Sequence, residues 1–134
     1  MPVKRIDMAL HIQELCAEHG ITVRYQSLSD TDPRYYARPS DRLIQIRPTK
    51  NTGYYVSALH ELGHILGRFQ SRKKSRLTRE LWAWVWARQN ALVWTLTADR
   101  IMRQAMDSYG WTLTQKNRWA ELFPVDNCEQ SANL

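Results

Sequence analysis

HELGH, His60 to His64, lies inside NTGYYVSALHELGHILGRF, residues 51–69, and its reading decides the rest of the chain. Val56, Leu59, Leu62, Leu66 and Phe69 recur at helical spacing, which predicts a helix opening at Asn51 or Thr52 and running to about Phe69. On a helix, positions i and i+4 share a face, with Cβ atoms about 5–6 Å apart. Two imidazoles there can converge on one metal ion at roughly 2.0–2.1 Å each, the distance zinc prefers. Glu61 is turned one residue step away, so it is free to take a proton from a water on that metal. Zinc lowers the pKa of its water to about 7. The motif thus encodes two ligands and a general base in one helical turn. Burying His60, Glu61 and His64 in an apolar helix without a metal would be costly.

A zinc site that keeps one position open needs a third protein ligand. His11, His19 and Cys16 are available upstream, but all three fall on a predicted first helix. Peptide deformylases do pair an upstream cysteine with H-E-x-x-H, yet theirs sits in a glycine-containing loop, whereas ELCAE here reads as mid-helix. Cys16 is therefore expected to be a small buried hydrophobe. Glu80 is the stronger candidate. It follows His64 by sixteen residues and opens the next helical pattern, with Ala83, Ala87 and Ala91 on its face. Gly63 and Gly67 offer matching small residues beside the histidines. Two such faces let helix backbones come close, as a glutamate must to reach its neighbour's metal. The plainer reading is that Glu80 favours a helix N-terminus through the dipole.

Working outward, residues 4–19 form a helical pattern (Met8, Ile12, Leu15, Cys16) stopped by Gly20. ITVRY, residues 21–25, alternates like a strand with Ile21, Val23 and Tyr25 on one face. After the turn-rich SLSDTDP, the stretches RYYA and RLIQIR predict a hairpin around residues 38–41. Beyond HELGH, a long helix is expected from about Thr78 to Thr97, then one to Tyr109-Gly110. Thr112 with Gln115 fits a capping box for a last helix, ended by Pro124. The whole predicts an α+β fold: a small antiparallel sheet packed on a zincin-like helical core, with a helix-rich C-terminal half. Residues 1–126 are expected to be one domain and residues 127–134 a disordered tail. Trp82 and Trp86 share a face while Trp84 points elsewhere, so their helix is expected to be buried on more than one side.

The 134 residues are 43% hydrophobic and 24% charged, ordinary for a soluble globular protein. No apolar run approaches the roughly 18–20 residues that span a bilayer, and the N-terminus lacks a signal-peptide pattern. Cys16 and Cys128 suggest no disulfide framework, so a cytoplasmic protein with reduced thiols is expected. The net charge of +6 is concentrated in RFQSRKKSRLTR, residues 68–79, where six of twelve residues are basic. Arg68, Arg72, Lys73, Lys74, Arg76 and Arg79 are thus candidate contacts to nucleic acid. RQAMDSYGWTLTQKNRWAELF, residues 103–123, has the helix-turn-helix order of a non-enzymatic DNA-binding module, though without a clear recognition face.

On HELGH, the short strands before it and the glutamate-led RELWAWVWA after it, the chain from about Ile21 to Leu96 resembles the ImmA/IrrE-like metallopeptidases, a family common in phages and mobile elements. The resemblance implies a gluzincin-type site: one Zn2+ per chain on His60, His64 and Glu80, with Glu61 as general base. It also implies hydrolysis of a peptide bond in a protein partner, such as a regulator or repressor. Two features depart from the family: NALVWTLTADR replaces its leucine-rich, proline-ended continuation, and the basic loop and tryptophan density are this chain's own. The basic run also allows a DNA-associated, SprT-like protease. In peptidases of this kind an exposed strand beside the active helix pairs with the substrate, a role open to RYYA or RLIQIR. Tyr35, Tyr36, Tyr54 and Tyr55 are all candidates to steady a transition-state oxyanion.

Overall fold

The computed structural model describes residues 3–26 and 35–123. In chain order the elements are α1 (Arg5–His19), β1 (Thr22–Tyr25), β2 (Tyr36–Arg38), a 3-10 turn (Pro39–Asp41), β3 (Leu43–Ile46), α2 (Thr52–Leu66), α3 (Arg76–Asn90), α4 (Leu96–Asp107) and α5 (Leu113–Leu122). The architecture is α+β, with five helices and one three-stranded sheet among the described residues. No described helix is long and apolar enough to cross a membrane. The SLSDTDP turn, Pro124 and the tail fall outside the described residues.

Local chemistry sets most boundaries. The Asp7 carboxylate accepts from the Lys4 N–H at 2.9 Å to open α1, and Gly20 closes it at φ 64°, a conformation favouring glycine. Asn51 caps α2 by accepting from the Tyr54 N–H at 2.9 Å. The Ser75 hydroxyl does the same for α3 through Thr78. Thr112 and Gln115 close the expected capping box of α5.

Three expectations are corrected. The sheet is mixed, not antiparallel. β3 lies in the centre, antiparallel to β2 (Ala37 opposite Ile44) and parallel to β1 (Val23 opposite Ile44). The β2–β3 hairpin follows from its tight turn, where Arg42 takes φ 47°. In the parallel β1–β3 pair, Tyr25 at the end of β1 is 46% exposed. Second, α2 stops at Leu66. Gly67 turns to extended backbone and Phe69 to φ 59°, so Phe69 lies outside the helix and packs on the Trp82 ring at 4.9 Å. Third, the helix expected to reach Thr97 ends at Asn90. The Leu92 N–H is taken by the Tyr55 hydroxyl at 2.9 Å, and the Thr95 hydroxyl starts α4 by accepting from the Ala98 N–H. A side chain 37 positions away thus replaces the intrahelical acceptor.

One core joins all of these pieces. Ile12, Ile44, Ile46, Tyr55, Val56, Leu59, Leu62, Met102 and Met106 are fully buried in it. α2, with Val56, Leu59 and Leu62 fully buried, is the hub, packed on the sheet, α1, α3 and α4. Each large side chain buried there contributes about 1.5–3 kcal/mol of apolar transfer. That fixes α2 in place and with it the remaining face, which carries the histidines.

Candidate metal centre

Gly63 is where α2 and α3 come closest. A Cβ built on it would lie 2.3 Å from the Ala83 carbonyl oxygen, and one on Gly67 would lie 3.1 Å from that of Trp82. Ala83 and Ala87 are fully buried in the same crossing. Only small residues permit this approach, and its product is the position of Glu80. One carboxylate oxygen, Glu80 Oε2, lies 2.8 Å from His60 Nε2 and 3.2 Å from His64 Nε2. Glu80 is the fifth residue of α3, beyond the first turn where a helix dipole acts appreciably. The dipole does not account for its place.

Glu61 is 6% exposed, and the donor atoms of His60, Glu61 and His64 lie within 4.8 Å of one another, a cluster that can hold a metal ion. Two carboxylates therefore face the histidines, in different ways. Glu80 touches both imidazoles through one oxygen, whereas Glu61 lies back beside them. Glu61, His64, Tyr35, Tyr36, Ala37, Pro39, Gln70 and Arg79 line a cleft of about 290 Å³.

Electrostatics separates the four groups. Burial pushes the Glu61 carboxyl up to about 7, a neighbouring His64 opposing and Glu80 adding to the rise. Burial also disfavours ionised Glu80, but its hydrogen bonds to both histidines overcome this and hold it well below the usual carboxylate range. His60 is lowered, chiefly by burial. His64 is raised: burial lowers it, and Glu80, Gln70 and Glu61 together outweigh that. No lysine or arginine forms an ion pair with Glu61 or Glu80 among the described residues. Two nitrogen donors with one buried and one half-buried carboxylate and no fixed cation suit a divalent metal.

Sequence reasoning missed the supports of this cluster. His64 Nδ1 meets Gln70 Oε1 at 3.0 Å, while Gln70 Nε2 donates to the carbonyls of Arg68 at 3.0 Å and Arg79 at 2.9 Å. The amide is anchored at both ends, so His64 is presented by Nε2, as metal-ligand histidines are typically oriented. Trp84 stacks on the His60 ring, centroids 4.2 Å apart and planes 11° from parallel. Its Nε1 donates to the Tyr109 hydroxyl at 3.1 Å, and Tyr109 lies close enough to Glu80 to feel its charge. Trp84 stands at i+4 from Glu80, a spacing that could have announced it. Gln70 and Tyr109 carry no such signal.

The other candidates part company. His11 is held 2.7 Å from the Tyr55 hydroxyl by its Nδ1, and His19 is exposed. Cys16 is buried in α1, its thiol pushed up to about 11 by burial, as expected of a small hydrophobe. Of the four tyrosines, Tyr55 is spent on His11 and Leu92, and Tyr54 stacks under Arg47. Tyr36 accepts from Arg24 at 3.2 Å, and Tyr35 lines the cleft with its hydroxyl withdrawn from water. β3 is sandwiched, so RLIQIR has no free edge; β2, within RYYA, has one among the described strands.

Of the basic run, Arg68, Arg72, Lys73, Lys74 and Arg76 are exposed and Arg79 is half-buried. Lys74 lies over Phe69 at 5.5 Å and Arg76 over Tyr109 at 5.3 Å. Arg68 lines a groove with Trp82, Val85 and Trp86, Arg79 lines the cleft, and Arg72 and Lys73 are exposed. Trp84 is buried and Trp82 and Trp86 half-buried, so α3 is covered on more than one side as expected.

No family model, curated protein or solved structure matches the chain.

Proposed function

We propose that the chain is a zinc-dependent peptidase of gluzincin type, with a zincin-like core and an ImmA/IrrE-like site. The observation that carries this reading is the single Glu80 oxygen within hydrogen-bonding distance of both histidine Nε2 atoms, brought there by a crossing that only glycine at position 63 permits. His60, His64 and Glu80 would hold the ion, and Glu61 stays free as the base. Bound zinc would supply Lewis acidity toward the scissile carbonyl and toward water.

The chain's own groups do the rest. Glu61, held near neutrality by burial, takes the proton of the attacking water at its carboxylate and returns it to the leaving amine. Gln70 fixes the tautomer and direction of His64. The free edge of β2 offers backbone hydrogen bonds to an extended substrate, whose alternate side chains then turn toward the cleft. A protein partner with an accessible extended segment is the substrate class that follows.

The test is metal content of untagged protein by elemental mass spectrometry, followed by peptide cleavage. We expect about one zinc per chain, lost in His60→Ala and weakened in Glu80→Ala. Glu61→Gln should retain zinc while turnover falls about a thousandfold. Wild-type protein that takes up no stoichiometric zinc on reconstitution overturns the reading.

Binding to DNA through the basic run is the competing reading. It predicts an affinity that falls steeply with salt and survives metal removal.

A further inference from the structure

Arg79 was expected to belong to the basic run, yet it lines the same cleft as Glu61 and His64. Its Nε is withdrawn from water and has no hydrogen-bond partner, and its guanidinium forms no ion pair among the described residues. Withdrawing a charge-bearing donor from water without an acceptor is unfavourable, by about 1–3 kcal/mol for an ordinary polar group and more for a charged one. Arg72 and Lys73, by contrast, lie exposed in the loop and incur no such cost. Arg79 is also held in register with the metal centre. The Gln70 amide accepts from His64 Nδ1 through its oxygen and donates through its nitrogen to the Arg79 backbone carbonyl at 2.9 Å.

We propose that Arg79 is a specificity-determining residue: in the cleft beside His64 it receives a carboxylate of the bound peptide. This rests on the peptidase reading above. Guanidinium and carboxylate match as a planar two-point pair, and a turn of the half-buried Arg79 side chain into the cleft would bring Nε and a second nitrogen to the carboxylate. The carboxylate can come from an aspartate or glutamate side chain or from the peptide's free C-terminus. A cleft of about 290 Å³ walled by Tyr35, Tyr36 and Pro39 admits a side chain, not a double helix. That favours peptide over nucleic acid at this position.

The test uses the full chain carrying Glu61→Gln, with and without zinc, and acetylated, amidated hexapeptides with a central glutamate or glutamine. A glutamine peptide with a free C-terminus forms a further arm. Binding is followed by NMR through the Arg79 Nε–H resonance. We expect the carboxylate-bearing peptide to bind on the order of tenfold to a hundredfold more tightly than its neutral counterpart and to shift that resonance. Arg79→Gln should erase the preference, and Arg79→Glu should transfer it to a lysine peptide. The arm that shows the preference, central glutamate or free C-terminus, identifies the source.

Equal binding of acidic and neutral peptides, or a preference that survives Arg79→Gln, overturns the proposal. So does a short DNA duplex that shifts the resonance while the peptides do not. Zinc stoichiometry on the same samples keeps the two readings apart. A carboxylate preference without zinc uptake sinks the hydrolase and leaves Arg79 as a binding residue; zinc uptake without the preference does the reverse.

Discussion

Two carboxylate clusters are buried in this chain, and they are built on opposite plans. On α4, Asp99 faces Arg103 at 2.5 Å and accepts from Trp94 Nε1 at 3.2 Å, while Arg103 also donates to the Phe123 carbonyl at 2.8 Å. A permanent cation neutralises the acid, and the ensemble ties α4 to the end of α5. On α2 and α3, Glu61 and Glu80 meet imidazoles and no permanent cation. The Asp99 cluster is complete as it stands. The other has the donors of a site that could hold a metal ion. Burial alone does not mark a functional acid; what neutralises it does.

The comparison can be broken most directly at Gly63. Gly63→Ala places a methyl against the Ala83 carbonyl, so the helices must part, at a cost of about 3 kcal/mol and with loss of zinc binding. Thermal unfolding and metal content check this; an unchanged melting temperature with full zinc would detach the site from the crossing. Asp99→Asn should cost about 2 kcal/mol through the unpaired Arg103 and leave zinc stoichiometry untouched. Metal loss in that variant would show that the two clusters are coupled.

A smaller effect concerns pH in the metal-free protein. Folded Glu61 titrates near 7, above the ordinary glutamate value of about 4.3. The folded state therefore holds this proton more firmly than the unfolded state. Its contribution is full below the unfolded value and is lost as pH rises through 7. Glu61→Gln lacks that loss, so its melting temperature should exceed wild type by about 5 °C more at pH 8 than at pH 5. A constant difference across that range would show that Glu61 ionises without penalty. Least affected should be Gln70→Ala, which frees the far side of His64. Zinc affinity should fall about tenfold, read by competition with a chelator, with the fold intact.

The parts of the site legible in the sequence are those fixed by helical geometry. His60, Glu61 and His64 follow from i, i+4 spacing, and Glu80 from the matched glycine and alanine faces. The capping residues Thr112 and Gln115 were readable because a cap is settled within four positions. Long-range choices were not. β1 pairs parallel with β3 although local alternation suits either direction, and α3 ends at Asn90 because Tyr55, on another helix, captures the Leu92 N–H. Gln70 belongs to the same class: an uncharged residue in a loop gains its role only when Arg79 returns beside it.

The stack of Trp84 on His60 has an optical consequence. An indole 4.2 Å from an imidazole senses that ring's protonation and coordination through its excited state. Trp84 therefore serves as a built-in reporter, and the difference in emission between wild type and Trp84→Phe isolates it from the other five tryptophans. Titrating zinc while watching that difference would count ligand capture at His60 in real time, without label or substrate.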